Sequence, residues 1–206
     1  DLVSSRGLGD VYKRQLIEQI LASHSLIEGT QELPNILAIS RDIKLIDPKN
    51  GYPNNLLSLD QSSLTDLGKK YIDETKWARS SKPFFIDKMP NNFVHIGLIK
   101  LILPRAKIID ARRNPMDACF SCFKQYFAKG QHFTYDLDDI ARYYKDYIRL
   151  MDYWKKLFPN EIFTINYEDI INNPNERIAD LLEFCNVDFE ENCLNFHQSK
   201  RPVKTA

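Results

Sequence analysis

Residues 106–126 read A-K-I-I-D-A-R-R-N-P-M-D-A-C-F-S-C-F-K-Q-Y. The apolar run at 106–111 ends in charge, and Asn114-Pro115 breaks it. Proline suits the first turn of a helix and little else, so Met116 onward reads as helix and the whole stretch as strand, turn, helix. Such a junction aims free backbone N–H groups and the positive end of the helix dipole at one point. Arg112 and Arg113 stand on the approach to it, so an anion, and first of all a phosphate, is the expected occupant. Ser121 lies eight residues after Arg113 and faces the same point from the second turn. The alternative is an Arg in a surface ion pair and a Ser on a solvated helix face.

Outward from this unit, strands and helices alternate. Toward the amino end, Leu16, Ile17, Ile20 and Leu21 give one apolar face of a helix that ends near His24-Ser25. Residues 26–30 read as a connector, and a second helical run leads from Leu33-Pro34 through Ile39, with Glu32 at its start. Residues 47–58, with Pro48, Gly51, Pro53 and two Asn, are a loop by their turn chemistry. Residues 64–81 are amphipathic helix with Leu64, Leu67, Tyr71 and Trp77 inward. Phe84-Phe85-Ile86-Asp87 is a buried strand, and a helix capped by Asn91 or Asn92 runs to about Leu103.

Toward the carboxyl end, Asp136 opens a long helix to Leu157 whose Tyr143, Tyr144, Tyr147, Leu150, Met151 and Trp154 recur at helical spacing and read as core. A strand at 161–166, a turn at 167–171 and a helix at 174–185 complete the pattern. The fold class is α/β, a parallel sheet with helices on both faces, and ligands of such sheets bind beyond the carboxyl ends of the strands. Lys88, Arg113 and Tyr167 each follow a strand end, so three junctions point polar side chains into one crevice.

The composition narrows the field. The 206 residues, 43% hydrophobic, suffice for one globular domain with a core. Lys+Arg and Asp+Glu both total 28, which argues against a broad basic footprint for nucleic acid and makes any anion site local. Four unevenly placed cysteines point to a reduced compartment, and no apolar run suggests a membrane span or a signal peptide, so the expected location is the cytoplasm. Cys119-Phe120-Ser121-Cys122 spells C-x-x-C but lies deep in a helix without nearby zinc partners, and reads as buried small apolar groups. Residues 1–15, D-L-V-S-S-R-G-L-G-D-V-Y-K-R-Q, resemble a translated sequencing adapter and are set aside; a partial domain is expected over 16–206, cut at both ends.

The signals L-I-E-Q-I-L-A-S-H-S, G-T-Q-E-L-P, D-K-M-P-N-N, R-N-P-M-D-A-C-F-S and N-Y-E-D-I-I-N-N-P, in this order, resemble the sulfotransferases that use 3′-phosphoadenosine 5′-phosphosulfate (PAPS). The likeness is to the branch associated with tetratricopeptide repeats and to the tyrosylprotein sulfotransferases. The resemblance implies a P-loop-NTPase-like fold, PAPS as co-substrate, no metal, an acceptor carrying a hydroxyl, and tetratricopeptide repeats ahead of the domain in the parent chain. It implies Glu32 as the catalytic base, Lys88 beside the transferred group, and Arg113 and Ser121 on the 3′-phosphate. In that family a Gly- and Ser/Thr-containing loop that cradles the 5′-phosphosulfate precedes L-I-E-Q-I-L-A-S-H; adapter-like sequence stands there in this chain, which puts the fragment's own activity in doubt. Tyr167 either lays its ring near the adenine or helps cap the following helix with Glu168 and Asp169. His24 reads as a helix-end residue and His132 as a second base candidate. Two rivals stand beside this reading: a nucleotide kinase-like P-loop enzyme, which would need Mg²⁺ on carboxylates, and a noncatalytic nucleotide-binding module.

Overall fold

The computed structural model describes residues 2–6, 11–46, 48–125 and 131–198, with side chains from residue 16 onward except at 46. The strands are β1 (Leu2–Arg6), β2 (Ile27–Gly29), β3 (Phe84–Asp87), β4 (Lys107–Arg112) and β5 (Ile162–Asn166). They form one sheet in the order β2-β3-β1-β4-β5, with every pair parallel. The helices are α1 (Val11–Ala22), α2 (Asn35–Ile46), α3 (Gln61–Glu74), α4 (Ile96–Ile102), α5 (Pro115–Lys124), α6 (Leu137–Leu157), α7 (Tyr167–Asn172), α8 (Pro174–Phe184) and α9 (Glu191–Leu194). None among the described residues is long and apolar enough to cross a membrane.

Side chains alternate across the pleat and fill two cores. On one face Phe85 and Ile108 join Ile36 and Ile39 of α2, Tyr71 of α3, Ile96 and Ile99 of α4, and Tyr147 and Met151 of α6. On the other, Ile86, Ile109 and Ile165 meet Ile17, Ile20 and Leu21 of α1 and Ile178, Leu181 and Leu182 of α8. A strand with helices on both sides has two apolar faces to bury, which is why these runs read as nearly continuous hydrophobics. The α6 aromatics are core, as their spacing requires.

The expected elements are found, with five differences. Residues 2–6, set aside in the sequence reading, are the central strand; L-V-S-S-R offers only Leu2 and Val3 as apolar signal, and its place rests on backbone pairing to both neighbours. Residues 27–29, read as a connector, are the edge strand β2, too short for a period-2 pattern. Helix α2 runs on to Ile46, and Trp77 is 66% exposed because α3 stops at Glu74, before it. Between β3 and α4 the chain forms a 3-10 turn, Pro90–His95, rather than a cap and a plain helix. The chain following β1 at 7–10, residue 47 of the loop expected at 47–58, Tyr126 and the terminal 199–206 lie outside the described residues.

Candidate functional site at the carboxyl edge of the sheet

Because all strands run parallel, their carboxyl ends share one edge. Glu32 follows β2, Lys88 follows β3, Arg113 follows β4 and Tyr167 follows β5. From β1 the chain goes to β2 and β3 on one side and then crosses to β4 and β5 on the other, which makes the end of β1 the topological switch point where such sheets bind ligands.

The β4 exit is built from neighbours in sequence. Arg113 Nη1 donates to Ser121 Oγ at 3.3 Å, and Nη2 donates to Asp117 Oδ2 at 3.1 Å. Asp117 and Ser121 lie one turn apart on α5, and Arg113, just ahead of its cap, reaches both, so the expected Arg and Ser come together and the alternative ion pair, with Asp117, is formed as well. The helix-start N–H groups, expected to be free, are not: Asn114 Oδ1 accepts from Met116 N at 3.0 Å and from Asp117 N at 3.3 Å, as an N-cap Asn does. An anion here is therefore offered guanidinium and hydroxyl first, with the helix dipole behind them. Glu168 does not cap its own helix; its Oε1 accepts from Asn114 N at 3.0 Å and ties the start of α7 to this exit. Tyr167, the first residue of α7, is partly buried beside it.

Beneath this exit lies a carboxylate that the sequence reading passed over. Asp110 is fully buried and accepts from the Tyr147 hydroxyl, from Arg112 Nε at 2.8 Å and from Thr164 Oγ1 at 3.2 Å, with Lys155 Nζ at 3.5 Å. Burial together with the Asp110 charge pushes the Tyr147 hydroxyl far above its usual range. Asp87 of β3, equally buried, accepts from the Tyr71 hydroxyl at 2.8 Å and from Met89 N at 3.0 Å. The signal for both was available: Asp87 is in phase with Phe85, and Asp110 with Ile108, on the same inward face.

The β3 exit is built from distant parts. Lys88 is only 4% exposed, and its Nζ lies 2.7 Å from Oε2 of Glu18, itself buried on α1. The turn that follows packs against β1. Within it the Phe93 ring meets Tyr147 edge-on with centroids 5.2 Å apart, and Trp154 Nε1 donates to Phe93 O at 3.0 Å. At its end His95 Nδ1 and the Tyr52 hydroxyl share a hydrogen bond at 2.8 Å. Burial, with the Lys44 charge adding, pushes the His95 imidazole down to about 4, and burial pushes the Tyr52 hydroxyl up to about 12. At the β2 exit, Glu32 is partly buried just ahead of α2. Sequence reasoning missed Glu18 and the burial of Asn92, because their surroundings come from other elements.

The remaining candidates sort readily. His24 is buried, accepts through Nδ1 from Leu26 N at 3.1 Å and donates through Nε2 to Asp188 O at 2.9 Å, which makes it a pin at the end of α1. His132 is exposed in a short turn between α5 and α6. Cys122, Cys185 and Cys193 are buried free thiols and Cys119 is partly so. Among the described residues no group of three His, Cys, Asp or Glu side chains stands close enough to hold a metal ion.

Residues 15–191 match the sulfotransferase family. An uncharacterised protein of Aquifex aeolicus is 36% identical over 201 residues, covering 93% of this chain but 26% of that protein, so the chain spans about a quarter of that relative's length. Among solved structures, the sulfotransferase domain from the curacin biosynthetic pathway superposes with a TM-score of 0.65 at 16% identity, over 97% of this chain and 78% of that one. The sulfotransferase domain of the Synechococcus PCC 7002 olefin synthase gives 0.63 at 17% identity, over 97% and 77%. A mouse sulfotransferase complexed with PAP gives 0.55 at 16%, over 98% and 66%. At these identities the superpositions speak to the fold, which is the P-loop-like α/β arrangement described above. With its parallel sheet, its strand exits and the match over most of its length, the chain belongs to the sulfotransferase family.

Proposed function

We propose that the carboxyl edge binds 3′-phosphoadenosine 5′-phosphosulfate and that the parent protein transfers its sulfuryl group to an acceptor hydroxyl, on a small molecule, a glycan or a protein tyrosine. The observation that carries this reading is the Arg113–Ser121 contact at 3.3 Å on the β4–α5 junction. A guanidinium and a hydroxyl converge there near the positive end of a helix, which suits a doubly charged 3′-phosphate. Tyr167, at the next exit, supplies a ring for the adenine.

In the proposed step the acceptor oxygen attacks sulfur while the Glu32 carboxylate takes its proton. The bond from sulfur to the bridging phosphate oxygen breaks in line. Adenosine 3′,5′-bisphosphate leaves with negative charge on that oxygen, which the Lys88 ammonium offsets. The ion pair with Glu18 supports this role by holding a cation in place at low exposure. A nucleotide kinase-like reaction has less support, since both inward carboxylates of the neighbouring strands are engaged by tyrosine hydroxyls. Repeats ahead of the domain and a cytoplasmic site of action complete the proposal for the parent protein. The place of residues 2–6 at the centre of the sheet weighs against a reading of 1–15 as foreign to the domain, and the sequence of the parent locus across this segment tests it.

The test of the donor reading is calorimetry with adenosine 3′,5′-bisphosphate and with 5′-AMP. Arg113→Ala should weaken the bisphosphate by roughly one to two orders of magnitude, and Ser121→Ala by less, because a hydrogen bond to a charged group contributes about 1.5–3 kcal/mol. 5′-AMP should bind weakly and respond little to either change. Equal losses for the two nucleotides would show that Arg113 holds the fold rather than a phosphate.

A further inference from the structure

Four residues after Lys88 stands a polar group that the fold does not use. Asn92 is 0% exposed, and neither its Nδ2 nor its Oδ1 has a hydrogen-bond partner. A carboxamide brings two N–H donors and an acceptor oxygen, and leaving all of them unmade inside a protein is costly. A leucine of nearly the same shape would fill that space without the loss. Nor is the turn slack around it: Phe93 on one side is fixed by Tyr147 and Trp154, and His95 beyond it by Tyr52. The amide is held in place with nothing to bond.

Its position is specific. The β1–β3 ladder ends at Val3 with Asp87, whereas the β1–β4 ladder continues to Arg6 with Ala111. The chain leaving β3 therefore turns off early, and the turn carrying Asn92 packs against β1 at the switch point. Lys88 and Glu18 form their buried pair at the start of the same turn. An ammonium and an unsatisfied amide four residues apart suit a group rich in anionic oxygens, with Nδ2 donating to one of them.

We propose that Asn92 is a binding residue for the transferring, 5′ end of the donor, its carboxamide reserved for an oxygen of the phosphosulfate. This rests on the donor reading of the crevice and adds a second subsite to the one at Arg113. Both Asn92 and Lys88 are buried in this structure.

The experiment compares the chain with Asn92→Leu and Asn92→Ala, by thermal midpoint without ligand and by calorimetry with 3′-phosphoadenosine 5′-phosphosulfate and with adenosine 3′-monophosphate. Asn92→Leu should keep or raise the midpoint, weaken the phosphosulfate by roughly tenfold or more, and leave the 3′-monophosphate within about twofold. Asn92→Ala should give the same nucleotide pattern with a lower midpoint, from the space it leaves. A lowered midpoint in Asn92→Leu with both affinities unchanged would assign Asn92 to the fold, through a buried water, and overturn the proposal. Equal losses for both nucleotides would overturn it as well. Wild-type chain that binds neither nucleotide would instead defeat the donor reading, and this inference with it.

Discussion

The two strand exits that flank β1 are made in opposite ways. At the β4 exit, Arg113, Asn114, Asp117 and Ser121 come from one stretch of chain and satisfy one another along a helix start. At the β3 exit, Lys88 finds Glu18 on α1, seventy positions earlier, and Asn92 finds no one. The first is partly exposed and local; the second is buried and assembled by the fold. Burial raises what each polar group has at stake, since an interior carboxylate or amide loses water and gains only what its neighbours offer. Changes at the β3 exit should accordingly move stability far more than changes at the β4 exit.

The largest effect is expected from Lys88→Met, which takes the ammonium away from the buried Glu18 carboxylate. It should cost about 3–5 kcal/mol of unfolding free energy, whereas Glu18→Leu with Lys88→Met should recover most of that loss, as replacement of a whole buried pair generally does. Urea unfolding of the singles and the double measures it. A double variant as unstable as Lys88→Met alone would mean that the ammonium has further partners that matter more than Glu18.

A smaller effect follows from His95. Its folded value near 4 lies below the ordinary 6.5, so the unfolded chain binds the proton first as pH falls. The contribution is complete above about 6.5 and declines from there toward 4, by about 1–2 kcal/mol at pH 5. His95→Gln, which keeps an acceptor for the Tyr52 hydroxyl, should remove that part of the pH dependence. Unfolding curves at pH 7 and pH 5 for both chains decide it, and parallel losses in the two would clear His95.

The smallest effect is expected at the β4 exit. Asn114→Ala removes the cap of α5 and should cost about 1 kcal/mol, the usual worth of an N-cap side chain. It also frees the Met116 and Asp117 N–H groups for a bound anion, so inorganic phosphate or a 3′-phosphate should bind no worse, by calorimetry. A loss near that of Lys88→Met would erase the contrast between the two exits.

The same contrast explains what could be read from the residues alone. The β4 exit was legible because its residues are neighbours in sequence: helix geometry relates positions 117 and 121, and Arg113 stands directly ahead of the helix cap. Strand β3 was legible to the residue, since Phe84-Phe85-Ile86-Asp87 is a closed apolar run between turn signals. Strands β1 and β2 were not, since one is apolar only at its start and the other is a three-residue edge strand. Asp87 and Asp110 stood in phase with inward neighbours, but the tyrosines that meet them come from α3 and α6.

By itself, the sequence determined the alternation of strand and helix, the parallel sheet with two buried faces and the core aromatics of α6, and it set Arg113 and Ser121 toward one point while leaving open the ion pair that Arg113 makes with Asp117. Each of these follows from spacing within a single element or from the order of elements along the chain. Only the tertiary structure decided that β1 is central, that Glu18 faces Lys88, that Glu168 reaches Asn114 and that Asn92 is shut in without a partner. Those are contacts between segments far apart in sequence, and no local periodicity encodes which side chain of one element will stand opposite which side chain of another.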